Sequence, residues 1–155
     1  MKPKIDSKIR SSKKELLLVF SQFIIIALHF VKVNLFNQKI IYKEFLIVNY
    51  VSNFLIVVAS IFIIFSLKEL GKSISPMPRP KQNSKLITSG IYTILRHPMY
   101  YSLIVISIGF FMKSFTIYNL ILIILLIFII SNKIKIEEEY LTKKFIKYNS
   151  YKKEV

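Results

Sequence analysis

Residues 45–67 contain no charged side chain. A helix needs roughly 20 apolar residues to cross a hydrocarbon core of about 30 Å, so this stretch is long enough to span. Three further apolar segments accompany it: 16–31, with His29 near its outer end, then 100–112 and 115–130. The last two are separated by little more than Lys113 and Ser114, which predicts a tight antiparallel helical hairpin. Segment 100–112 is short for a crossing, so it must begin before Tyr100 or thin the bilayer locally. Buried helices of a soluble core are a poor alternative, because four such stretches leave too little polar sequence to coat them. Segment 16–31 has the basic start of a secretory leader, but Val31, Lys32, Val33 and Asn34 follow it in place of a small-residue cleavage site, so a retained span is expected. The expected fold is all-α: an integral membrane helical bundle of about four transmembrane helices with a cytoplasmic amphipathic C-terminal helix.

The charge distribution sets an orientation. The 155 residues hold 23 Lys and Arg against 8 Asp and Glu, a formal net charge of +15. Counted outside the spans in chain order, the cations number six (Lys2, Lys4, Lys8, Arg10, Lys13, Lys14), three (Lys32, Lys39, Lys43), six (Lys68, Lys72, Arg79, Lys81, Lys85, Arg96), one (Lys113) and seven between Lys133 and Lys153. Cationic loops tend to stay cytoplasmic, so the alternation places both termini inside, in what is expected to be a bacterial inner membrane. Topology and anionic lipid account for the basic excess, which makes nucleic-acid binding an unnecessary hypothesis. The chain has no cysteine, which excludes disulfides, thiolate metal sites and a thiol nucleophile. Three Gly and five Pro argue against a turn-rich all-β fold.

Two polar regions remain. The first carries the run Pro76-Met77-Pro78-Arg79-Pro80, which proline geometry makes extended and stiff. The second, residues 131–155, places Leu141, Phe145 and Tyr148 at helical spacing among lysines, which predicts an amphipathic helix continuing out of the fourth span. The expected division is 1–67, the first two spans, and 68–155, a core of proline loop, hairpin and C-terminal helix.

The chemistry concentrates in two places. In Arg96-His97-Pro98-Met99-Tyr100, Pro98 drives His97 out of the α region and suits the first turn of a helix. The third span then starts at Pro98, and its N-terminus, with Arg96 and His97 beside it, attracts an anion. A plain headgroup anchor explains the same two cations equally well. Glu137-Glu138-Glu139 hold three of the eight acids. They suit a cationic ligand, or simple pairing with Lys133, Lys135 or Lys143. The hairpin brings both features to one cytoplasmic corner, fit for a zwitterionic ligand.

Leu86-Ile87-Thr88-Ser89-Gly90, Tyr92, Arg96-His97-Pro98, Tyr100 and Gly109, followed by Glu137-Glu138, Leu141, Phe145, Tyr148, Tyr151 and Val155, resemble the signature of isoprenylcysteine carboxyl methyltransferases and their prokaryotic relatives. Phospholipid N-methyltransferases are more distant kin. The likeness covers residues 68–155. It implies an S-adenosyl-L-methionine-dependent methyltransferase built within the membrane, acting on a lipophilic small molecule or a lipid, with membrane lipids as its surroundings. By carry-over, Gly90, Tyr92, His97, Pro98, Tyr100, Glu137 and Glu138 form the cofactor set. His97 and Tyr100 meet the cofactor's amino-acid end, and the two glutamates its ammonium or ribose side. Arg96 and Glu138 carry the catalytic assignment, Arg96 by holding a carboxylate or orienting an anionic acceptor. Methyl transfer from a sulfonium needs alignment and dryness more than acid–base work, and no metal is expected. Two alternatives stand beside this: a membrane reductase using a nicotinamide cofactor, and a non-catalytic membrane subunit.

Overall fold

The computed structural model describes the backbone of residues 2–31 and 46–155, and the side chains of 13–31 and 46–155. The first-loop lysines Lys32, Lys39 and Lys43, the side chains of Lys2, Lys4, Lys8 and Arg10, and the expected start of the second span at Phe45 lie outside the described residues. Among the described residues five α-helices follow in order: α1 (Lys2–Leu28), α2 (Leu46–Leu70), α3 (Pro98–Ser114), α4 (Ile117–Lys144) and α5 (Tyr148–Glu154). The segments Leu46–Ser73 and Ile117–Lys144 are long and apolar enough to cross a membrane. At 1.5 Å per residue α2 is about 37 Å long and α4 about 42 Å, so α4 extends past the apolar layer and carries its acids beyond it.

Neighbours in the bundle follow from which residues are small or polar on an otherwise apolar helix. On α2, Ser52, Ala59 and Ser66 are buried and recur every seventh residue, a stripe of small side chains that lets α3 lie close. Gly109 of α3 meets it: a Cβ there would sit 2.6 Å from Ile56 Cγ1 and 3.3 Å from the Ser52 carbonyl oxygen. The Ser52 hydroxyl donates to the Gly109 carbonyl at 2.7 Å. On the other side of α3 lies α4, and α1 packs against α4 through Leu18 and Ile25 on Leu122, Leu126, Ile129 and Ile130.

The hairpin is tighter than its apolar runs alone require. α3 ends at Ser114, Phe115 adopts a left-handed conformation (φ 44°) whose N–H bonds the Phe111 carbonyl, and the Thr116 hydroxyl caps α4 by accepting from the Asn119 N–H. The side-chain amide of Asn119 donates to the Ser114 hydroxyl at 2.5 Å. Two residues, Phe115 and Thr116, reverse the chain. Lys113 is left at the tip, at the opposite end of α3 from Arg96.

Two expectations are refined. The third helix begins at Pro98, as the proline predicts, with His97 as its N-cap. The C-terminal helix does not run on unbroken: α4 stops at Lys144, Phe145 is extended with its N–H on the Leu141 carbonyl, and α5 starts at Tyr148. The break returns the chain toward the bundle, which buries Tyr148 and Tyr151.

Candidate functional site

The site is assembled at the end of the hairpin away from its tip. Pro98 occupies the first turn of α3, where its missing N–H costs nothing. It holds His97 at φ −130°, ψ 58°, and the His97 carbonyl accepts the N–H groups of Tyr100 and Tyr101. No side chain caps this helix N-terminus. The imidazole is buried and faces Glu138 of α4, its Nε2 3.5 Å from Oε1. Burial lowers its pKa, against the pull of Glu138, so the ring is neutral near pH 7.

Glu138 gathers three cationic or ionisable groups. Arg96 Nε donates to Oε1 at 3.2 Å and Lys152 Nζ to Oε2 at 2.5 Å, while His97 completes the set. Arg96 is further tied to the chain terminus by a 3.2 Å bond to the Lys152 carbonyl. Glu137, one residue earlier, points a different way and accepts the Tyr100 hydroxyl at 2.8 Å. The Tyr100 and His97 rings stack with centroids 5.7 Å apart. Glu139 is exposed and takes no part. The expected acidic trio is thus two working acids and one surface acid, since consecutive helical residues point about 100° apart.

The sequence-predicted residues mostly converge, and one stands apart. Arg96, His97, Pro98, Tyr100, Glu137, Glu138 and Tyr92 meet. Tyr92 lies in a 3-10 turn, Gly90–Thr93, and its carbonyl accepts the Tyr151 hydroxyl at 2.5 Å. Burial raises the pKa of Tyr92, Tyr148 and Tyr151, so all three remain neutral hydroxyls. Gly90 does not line the site. It turns the chain at φ +59° against the end of α2, where a Cβ would collide with the Glu69 side chain, and Ser89 donates to that same carboxylate at 3.2 Å.

Two cavities flank the cluster. The larger, about 280 Å³, is bordered by His97, Tyr100, Lys133 and Glu137 and reaches Phe23 of α1 and Met99. The smaller, about 90 Å³, lies under the proline loop between Met77, Leu141, Phe145 and Tyr148. They share Tyr92, Arg96 and Glu137 as walls. Two buried polar atoms at their edges, His97 Nε2 and the Tyr148 hydroxyl, make no well-formed hydrogen bond among the described residues, although Glu138 lies near both. Such orphaned donors and acceptors are costly unless something else satisfies them. A ligand with a carboxylate, an ammonium and an aromatic base fits: Arg96 and the α3 N-terminus for the first, Glu137 for the second, and the Phe145–Tyr148 cavity for the third, with Glu138 holding Arg96 in place.

Sequence reasoning missed several residues. Lys152, not Lys133, Lys135 or Lys143, is the lysine on Glu138. Lys133 instead turns inward, over the Tyr100 ring at 5.0 Å and onto Gln22 Oε1 at 2.5 Å. Glu15 and Gln22, seven residues apart on α1, with His29 just past its end, are the readable sign that this face of an otherwise apolar helix meets polar partners.

Comparison with known proteins agrees with this geometry. The family profile for phospholipid methyltransferase matches residues 47–148, which takes in α2, the proline loop, the hairpin and both glutamates. No curated protein and no solved structure matches the chain. The matched region covers about two thirds of the chain and holds nearly all of the site, and the chain therefore belongs to the phospholipid methyltransferase family of membrane proteins.

Proposed function

We propose that this protein transfers a methyl group from S-adenosyl-L-methionine to a lipophilic or membrane-partitioned acceptor at the cytoplasmic face of a cell membrane. The observation that carries the reading is the pair of cavities meeting at Tyr92, Arg96 and Glu137. One is walled by the polar loop and the other reaches lipid-level residues, so a soluble donor with its base in the first presents its methyl, where the two meet, to an apolar acceptor entering the second. The donor's amino-acid end belongs with His97, Tyr100, Glu137 and Glu138, and its base with Tyr148 and Phe145. Bound there, it supplies an electrophilic methyl on a sulfonium.

The chain's own part is placement. Arg96, held by Glu138 and the Lys152 carbonyl, is fixed in position to hold the donor's carboxylate. Neutral His97 and the buried tyrosine hydroxyls bind without bringing charge or bulk water to the reacting atoms. Correct alignment of two reactants supplies up to roughly 7–11 kcal/mol of a barrier, enough to make a base or metal unnecessary to the argument. The positive-inside count supports four crossings with both termini inside, an arrangement in which this corner lies at the cytoplasmic surface.

The test is binding of radiolabelled S-adenosyl-L-methionine to the full chain in detergent. Retention by the native protein and loss on His97→Ala or Glu138→Ala is the expected result. No binding by the native protein, or binding indifferent to both substitutions, refutes the reading. Mass spectrometry of lipid extracts from a deletion strain and its parent then identifies the acceptor by a missing methyl group.

A further inference from the structure

The region matched by the family profile begins at residue 47, so it leaves α1 without an assigned role. Yet α1 reaches the site. Its inward face carries Glu15 and Gln22, both buried, while Leu16, Leu17, Phe20, Phe23 and Ile24 point outward. Glu15 Oε1 accepts the Tyr140 hydroxyl at 2.7 Å and faces the Arg79 guanidinium at 3.4 Å. Arg79 also donates to the Tyr140 oxygen at 3.0 Å and lies over its ring. Seven residues further along α1, Gln22 Oε1 accepts Lys133 Nζ at 2.5 Å, and the same ammonium is 3.4 Å from the Pro76 carbonyl oxygen.

These contacts are two rungs of one ladder. Residues 15 and 22 of α1 face residues 140 and 133 of α4, so the helices run antiparallel and each pair of rungs is separated by seven residues. That is a rise of about 10.5 Å. Between the rungs runs the proline segment, with Pro76 at one and Arg79 at the other. Three extended residues cover about 9–11 Å. The stiff segment therefore matches the distance between its two anchors. Beyond it, Lys144 Nζ holds the Lys81 and Gln82 carbonyls and the Ser84 hydroxyl, the Gln82 bond being 2.9 Å. The loop so fixed supplies Pro76 to the wall of the larger cavity, and Met77, Pro78 and Pro80 to the smaller.

We propose that α1 is a clamp for the proline loop, with Glu15 and Gln22 as positioning residues that set the affinity of the donor site. Glu15 acts through Arg79 and Tyr140; Gln22 acts through Lys133 and Pro76 and also borders the larger cavity itself. The proposal rests on the methyl-donor reading, and its test keeps the two apart.

The full chain in detergent is digested briefly with trypsin, and cleavage after Lys81 and Lys85 in the loop is timed by mass spectrometry. In parallel, the dissociation constant for S-adenosyl-L-methionine is measured. Glu15→Ala and Gln22→Ala are expected to speed loop cleavage and to weaken donor binding, each by about tenfold, the factor that losing one charge-assisted hydrogen bond implies for local opening. Gln22→Glu, which can still hold Lys133, restores both. Glu15→Gln keeps the bond from Tyr140 and the side-chain volume, and gives an intermediate effect even if the alanine variant unfolds. Leu17→Ala, on the outward face, changes neither. Loop cleavage unaltered in Glu15→Gln and Gln22→Ala overturns the clamp. Faster cleavage with native donor affinity overturns the positioning role. A native protein that binds no donor removes the methyl-donor reading, and with it the affinity role, while the cleavage rates still decide the clamp.

Discussion

Replacing Gly109 by alanine tests the packing that sets α2 against α3. In a helix interior that exchange ordinarily gains about 0.5–1 kcal/mol, because glycine loses more backbone freedom on folding. Here the new methyl would lie 2.6 Å from Ile56 Cγ1 and 3.1 Å from its Cδ1, with the Ser52 carbonyl oxygen at 3.3 Å. Carbon atoms rest about 3.5–4.0 Å apart, so the Cγ1 overlap approaches 1 Å. Cγ1 is too close to the α2 backbone to swing clear as a chain end does. Relief therefore needs a changed Ile56 rotamer or a wider helix pair, and overpacking of this kind costs about 1–3 kcal/mol. Widening also stretches the bond from the Ser52 hydroxyl to the Gly109 carbonyl, worth about 1 kcal/mol. The clash outweighs the propensity gain, and Gly109→Ala is expected to destabilise by about 1–3 kcal/mol net. Reversible unfolding in mixed micelles measures this, and Ile56→Ala in the same background should recover at least about 1 kcal/mol relative to additivity. A Gly109→Ala protein as stable as the native one, or no rescue by Ile56→Ala, refutes the close-approach account.

Three other expectations concern the site. His97 has a pKa lowered by burial, so the unfolded chain takes up its proton at higher pH than the folded one. Its contribution to stability is complete above about pH 6.5 and is lost as pH falls from there toward the folded value. Melting temperatures between pH 7.5 and 5 should therefore fall more steeply for the native chain than for His97→Gln, and equal slopes refute this. The buried Tyr148 hydroxyl makes no well-formed hydrogen bond among the described residues; Tyr148→Phe should leave stability within about 0.5 kcal/mol while weakening donor binding, and unchanged binding removes that hydroxyl from the site. Tyr100→Phe strips Glu137 of its 2.8 Å donor, at an expected cost of about 1–3 kcal/mol, measured by the same micelle unfolding; no loss of stability contradicts the pairing.

How far the sequence carries the structure differs by scale. The long apolar segments and the Pro98 boundary are legible because they depend on local composition and on one ring that fixes φ. The meeting of Arg96 and His97 with Glu138 is legible too, once the two apolar runs are seen to share a short tip. Which acid serves which partner is not. Glu137 and Glu138 are identical in type, and only the rotation of α4 against α3 sends one to Tyr100 and the other to Arg96. Lys152 reaches Glu138 only because the chain breaks at Phe145, a turn that the helical spacing of Leu141, Phe145 and Tyr148 conceals. Gly90 has a motif position that suits a ligand loop, and what the fold makes visible is its part in the turn, through its positive φ and the Glu69 carboxylate beside it.

The inside-out character of α1 bears on how the protein is made. Its polar face finds Lys133 at a separation of 111 residues and Tyr140 at 125. At translation rates of about 5–20 residues per second, roughly 6–25 s elapse between synthesis of the first helix and of its mates. Through that interval Glu15 and Gln22 need shelter from lipid, which the insertion machinery or the headgroup layer must provide. α1 is thus made well before its mates, and its polar face reaches a permanent seat only once α4 has followed it.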